Sequence, residues 1–179
     1  MSDDIEYRSI LPGDYDALKH LHEEMFPVRY SKKFYEDAVM GIGLRKKPLY
    51  SLIAVKDGEM VGFVLGQFMS MNETDEKDLI DSSKLPIEGE GGQDGNNRST
   101  LSAAQVNAHL DRLQFMYILT LGCIPKYRRK GLASTLMKHL ISHAQEQPTC
   151  AAVYLHVIHY NQIAINFYTK HVFEYIKTR

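Results

Sequence analysis

Apolar positions along this chain change period several times, and each change marks an element. Glu6 to Leu11 alternates as a strand and is closed by Pro12-Gly13. Tyr15, Leu18, Leu21 and Met25 then recur at helical spacing, which predicts a helix running to Phe26-Pro27. Ser31 is a suitable N-cap for a second, short helix that stops at Gly41. Two apolar strands follow, Leu49 to Val55 and Met60 to Phe68, joined by Asp57-Gly58. Those two residues tolerate the positive φ of a tight hairpin turn.

No apolar period runs from Ser70 to about residue 112. Within residues 72–94 Glu73, Asp75, Glu76, Asp78, Asp81, Glu88, Glu90 and Asp94 are set against only Lys77 and Lys84, and the stretch GEGGQDGNN is close to featureless. The reading is an acidic, solvated insertion at about 70–112 inside a single domain spanning 1–179, not a second domain. Order returns with Gln114 to Leu121 (QFMYILTL), closed by Gly122 and Pro125. Leu132, Leu136, Met137, Leu140, Ile141 and Ala144 make one helical stripe, with Pro148 past its end. A strand over Ala151 to Ile158, a helix from Asn161 to about His171 and a stub from Phe173 to Thr178 complete an alternating α/β order.

Composition narrows the classes. The chain has 179 residues, is 44% hydrophobic and carries a net charge of −1, enough for one core and without a global field for nucleic acid. Cys123 and Cys150 make neither a disulfide framework nor a zinc pattern, so a reducing compartment is the default. The acidic N-terminus is unlike a signal peptide, and the apolar run Met60 to Met69 is too short to span a bilayer.

Chemistry concentrates between the fourth strand and its helix, in Lys126-Tyr127-Arg128-Arg129-Lys130-Gly131. Basic side chains, unpaired N–H groups of a first helical turn and a glycine that lets phosphate approach the backbone together suit a pyrophosphate. A solvated basic loop explains the same residues about equally well. Taken alone, His156 reads as a hydrogen-bonded core histidine on its strand, Tyr117 as a strand aromatic, and Asn161 as a helix N-cap. Cys123 reads as small packing, since an acyl-cysteine would need a base beside it. His139 and His143 have zinc-pair spacing but no third ligand, and are expected to be surface histidines without metal.

Arg128-x-x-Gly131-x-Ala133 resembles the acyl-CoA signature of the GCN5-related N-acetyltransferases, and Asn161-x-x-Ala164-x-x-Phe167-Tyr168 resembles their second signature. Phe26-Pro27-Val28, Tyr117 to Gly122, Tyr154 to Val157 and Ala164 to Tyr168 are similar to protein N-terminal acetyltransferases, above all the membrane-associated NatF type and next the NatE catalytic subunit. The resemblance implies an α/β fold with a mixed central sheet and about four helices, its final strand missing from the chain as given. It also implies acetyl-CoA as co-substrate and no metal.

By the same resemblance Tyr117 and His156 form the catalytic pair. The acetyl-CoA site falls on Leu121, Gly122, Cys123, Arg129, Lys130, Gly131, Leu132, Ala133, Ser134, Asn161, Tyr168, Thr169, Lys170 and His171. The acceptor peptide would meet Phe26, Pro27, Val28, Tyr30 and Leu119; Arg29 stands where NatF-like enzymes often have an acid. Imidazole titrates near neutrality, which suits a base for an α-ammonium group whose pKa is about 8. The implied reaction is direct attack in a ternary complex on the acetyl group, at N-termini of Met followed by a hydrophobic residue. The alternatives are a lysine or small-amine acetyltransferase of the same superfamily, or a non-catalytic acyl-CoA-binding module. Protein N-terminal peptides are the implied partners, with no nucleic acid and no obligatory subunit. The implied place is cytosol-facing, at Golgi or plasma membrane, with peripheral membrane association only through a C-terminal extension absent from this sequence.

Overall fold

The computed structural model describes residues 4–71, 73–74, 108, 110–171 and 173–174. Strands β1 (Glu6–Arg8), β2 (Tyr50–Lys56), β3 (Glu59–Ser70), β4 (Gln114–Cys123) and β5 (Cys150–Leu155) form one sheet in sequence order. Neighbours are antiparallel except β4 and β5, which are parallel. A parallel pair needs a crossover, and helix α3 (Leu132–Gln145) supplies it. Helices α1 (Tyr15–Met25) and α2 (Lys32–Val39) cover the opposite face, and α4 (Gln162–Lys170) follows β5.

The two cores follow from strand alternation. Ile53, Phe63 and Leu65 pack under α1 and α2, while Ala54, Val64, Met116 and Ile118 pack under α3. The α3 stripe is the expected one: Leu136, Met137 and Leu140 have no exposed surface, so truncating any to Ala should cost about 2–5 kcal/mol. Ser31 caps α2 by accepting from Phe34 N at 3.2 Å. Asp57 and Gly58 take φ of 52° and 83°, as the hairpin requires.

Two strand ends differ from expectation. β1 stops at Arg8, because Ile10 N bonds to Ser51 Oγ (3.2 Å) and Leu11 N to the Asp14 carboxylate (2.7 Å), which turns the chain off the sheet. Arg8 clamps that turn with two hydrogen bonds to Asp14 at 2.7 and 2.9 Å, holding the Asp14 carboxyl below the usual range. β5 stops at Leu155, not Ile158. The expected insertion lies almost wholly outside the described residues, as does the terminal stub beyond residue 174.

The end of β5 has a cause in β4. Leu65 opposes Thr120 and Gly66 opposes Ile118, so Leu119 is an extra, bulged residue. A bulge bends its strand and resets the alternation of side chains. Leu119 packs with the α1/α2 core and Thr120 bonds to α1, whereas Leu121 and Cys123 return to the α3 core. The parallel ladder with β5 ends at Ile118↔Leu155, just before the bulge. Beyond it β4 continues for five residues without β5, leaving one edge of Leu119 to Cys123 outside the ladder.

Candidate active site

Tyr117 projects from β4 two residues before the bulged Leu119, and His156 follows the last residue of β5. Tyr117 Oη and His156 Nδ1 are 3.1 Å apart, a hydrogen bond across the mouth of the gap between the two strands. Tyr154, directly opposite Tyr117 in the ladder, stacks on it at 4.9 Å with planes 23° apart. Tyr154 is buried, so it fixes the phenol ring from behind. His156 is therefore neither a core histidine nor a strand residue: it is exposed. Because β5 ends before it, its ring meets Tyr117 edge-on, at 5.4 Å and 70°.

At the other end of β4 the chain enters α3 through Pro125 to Gly131. Arg128 turns inward, Nε donating to Cys123 O at 3.1 Å, and ties this loop to the strand end. Arg129 takes φ 59° and Gly131 φ 86°. A Cβ on Gly131 would meet nothing within 4 Å, so glycine is required there by its left-handed backbone, and the space before it is open. No side chain caps α3. Its first-turn N–H groups and the positive end of its dipole thus stand at the end of a loop whose Lys126, Arg129 and Lys130 are exposed. Lys126 and Lys130 Nζ lie 5.8 and 5.3 Å from the Tyr127 ring centre, each over that ring.

The second expected segment joins the first. Ser134 Oγ, in the first turn of α3, is 2.9 Å from His171 Nε2 at the end of α4. Tyr168 is packed by Phe167 and Phe173, and burial pushes its hydroxyl up to about 12. Asn161 does cap α4, accepting from Ala164 N at 3.2 Å. Thr169 and Lys170 are exposed and Ala133 is half-buried. Leu132 and Cys123 are core side chains, so only their backbone can serve a ligand. Burial pushes the Cys123 thiol up, against a nucleophilic role. A Cβ on Gly122 would come within 2.6 Å of the Phe63 ring, so this glycine answers to packing.

On the α1/α2 face, Phe26 is half-buried and Pro27 and Val28 are exposed. Tyr30 stacks on Phe34 at 4.3 Å. Leu119 lies against the same core. Sequence reasoning missed what holds this wall. His22 is fully buried, its Nε2 3.1 Å from Thr120 Oγ1, amid the rings of Phe26, Tyr30, Phe34, Tyr35 and Phe63. Burial lowers its pKa to about 4, and Nδ1 has no hydrogen-bond partner among the described residues. The signal available was position: His22 follows Leu18 by four residues, on the buried stripe of α1. A second revision concerns His143, which stacks on Tyr50 at 4.6 Å and 21° and so is partly buried; His139 is exposed. Among the described residues no group of three His, Cys, Asp or Glu side chains could hold a metal ion.

The model of the acetyltransferase (GNAT) family matches residues 15–173. This chain belongs to that family. It is 32% identical over 177 residues to histone acetyltransferase MCC1 of Arabidopsis thaliana, covering 97% of this chain and 61% of that protein. It is 28% identical to N-alpha-acetyltransferase 60 of Danio rerio, covering 96% and 60%. The chain thus spans about three fifths of the length of those two relatives. The solved structure of Arabidopsis thaliana NAA60 in complex with acetyl-CoA superposes with a TM-score of 0.72 at 32% identity, covering 97% of this chain and 86% of that one. The same plant protein, solved with a bisubstrate analogue, also gives 0.72, at 30% identity. The mixed sheet with helices on both faces is therefore the family's fold.

Proposed function

We propose that this chain transfers acetyl from acetyl-CoA to the α-amine of protein N-termini by direct attack in a ternary complex. The observation that carries the reading is the Tyr117–His156 hydrogen bond at 3.1 Å, set across the gap that the Leu119 bulge opens between β4 and β5. The entrance to α3 fits a diphosphate-bearing ligand. Its cap is open, the space before Gly131 is empty of protein, and exposed cations surround it. Residues 129–134 would hold the diphosphate, and the edge of Leu121 to Cys123 left outside the ladder would hold the acyl end. Bound there, acetyl-CoA supplies an activated thioester.

The protein's part is positioning and proton movement. An α-ammonium, with pKa about 8, is largely protonated at neutral pH and must lose a proton before its lone pair can act. With Nδ1–H donating to Tyr117 Oη, the Nε2 lone pair of His156 can take that proton directly or through water. The Tyr117 hydroxyl can then donate to the leaving sulfur, Nδ1–H returns a proton to the phenol oxygen, and the second proton of the attacking nitrogen, acidic once the new C–N bond forms, leaves to water. Backbone N–H groups on the unladdered edge of β4 would stabilise charge on the acyl oxygen. Substrate α-amines beginning with Met and a hydrophobic residue belong to this proposal; the exposed Val28 and half-buried Phe26 and Leu119 offer an apolar wall for them.

The test is turnover on peptide pairs of one sequence, one with a free α-amine and one blocked there but carrying a lysine. Acetylation confined to the free α-amine is expected. Equal or faster lysine modification would favour the side-chain reading, and acetyl-CoA binding without product would leave a binding module.

A further inference from the structure

Beside Leu119, on the same face of β4 as Tyr117, lies a cavity of about 310 Å³, of which the reading above uses only Leu119. Phe34 and Ala38 of α2, Leu49 and Leu119 give it an apolar floor. Its rim carries Lys33, Asp37, Arg45 and Lys46. Asp37 is the rim's one carboxylate and is already engaged, accepting from Lys46 Nζ with both oxygens at 2.8 Å and lying 3.5 Å from Lys33 Nζ. Those cations hold its carboxyl below the usual range. Arg45 has no ion-pair partner among the described residues and is exposed. The rim is therefore net positive.

The loop that presents Arg45 is built. Gln67, 1% exposed, accepts from Leu44 N at 2.6 Å and donates to Leu44 O at 3.1 Å. A Cβ on Gly43 would lie 2.2 Å from Gln67 Oε1, so only glycine lets the loop sit this close. Arg45 and Lys46 are held in the left-handed region, at φ 53° and 61°. Gln67 is also the cross-strand partner of Tyr117. One strand pair thus positions both the phenol and the positively charged loop.

We propose that this rim is a specificity site for an acidic side chain of the acceptor polypeptide, lying a few residues after its amino terminus. The proposal rests on the α-amine reading given above and adds to it the charge class of the substrate. Charge complementarity is the argument: a guanidinium with no ion-pair partner among the described residues and two lysines sharing one carboxylate attract a second carboxylate and repel a basic residue.

The experiment measures kcat/KM of the full chain on peptides identical except for Glu, Gln or Lys, scanned over the positions after the second residue. Extended chain advances about 3.4 Å per residue, so the effect should peak at one or two positions. There Glu should exceed Gln about fivefold, through KM, and Lys should fall below Gln. The difference should shrink in about 0.5 M salt. Lys33→Gln combined with Arg45→Asn, the latter tolerant of positive φ, should bring the Glu-to-Gln ratio towards one. Equal rates for Glu and Gln peptides at every position would overturn the proposal while leaving α-amine transfer intact. A preference unchanged in the double variant would overturn it too. So would a preference that emerges only after deletion of residues 78–94, which would make the chain's own acidic insertion the competing occupant. Failure to acetylate any α-amine would overturn the underlying reading, and this proposal with it.

Discussion

The two sides of β4 are built from different materials. Towards α3 the site is made of backbone: a left-handed glycine, an uncapped helix entrance and a strand edge left outside its ladder. Towards α1 and α2 it is made of side chains, a buried histidine wedged among five rings and bonded to the residue after the bulge. Backbone sites need only a few residue types in a short run, and so they leave motifs. A wall of interlocked rings tolerates many solutions and leaves almost no signature. The Leu119 bulge lets one strand serve both, by turning Leu119 and Thr120 to one face and Leu121 to the other.

The largest effect should come where the two sides meet. Tyr117→Phe and His156→Phe should each lower kcat by about 10² to 10⁴, with acetyl-CoA affinity from calorimetry nearly unchanged. If both act on one proton path, as proposed, the double variant should lose less than the product of the single losses. Near-normal kcat in both single variants would dissolve the comparison at its hinge.

Next in size is the acid sensitivity of the α1/α2 side. His22 is depressed to about 4 in the fold, below the ordinary value of 6.5, so the unfolded chain binds the extra proton first as pH falls. The stability associated with neutral His22 is present above about 6.5 and is lost as pH falls from there to about 4, by at most ~3 kcal/mol. Urea midpoints across that range should slope steeply in the wild type and less in His22→Phe. Parallel slopes would mean that the histidine does not govern this wall.

On the α3 side, Gly131→Glu should weaken acetyl-CoA binding by about 100-fold or more, since a carboxylate would stand before a helix entrance that favours anions and on a backbone that disfavours any Cβ. Calorimetry showing undiminished affinity would remove that loop from the site. The smallest effect expected is Ser134→Ala, which cuts the 2.9 Å link to His171 between the helices. One hydrogen bond of ordinary net worth corresponds to about a fivefold loss in acetyl-CoA affinity, with kcat unaffected. A loss confined to kcat would show that this link reaches the reacting end.

Features with a local cause could be read directly from the order of residues. The Asp57-Gly58 hairpin, the Ser31 cap, the α3 stripe and the glycine at the α3 entrance depend on residues within one turn of each other. Tyr117, His156 and residues 128–134 stood out as candidates because family motifs compress into short runs. The bulge could not be read that way, because an extra residue in β4 is visible only against its partner β3. The end of β5 at Leu155, which releases His156 from the sheet towards Tyr117, follows from that divergence and not from any breaker in AAVYLHVI. His22 belongs to the same class. Helical spacing places it on a buried stripe, but its neutral state and its bond to Thr120 arise from packing across 98 residues of chain. Local propensity acts over a few residues, whereas desolvation and strand register are properties of surfaces that meet only once the chain has folded.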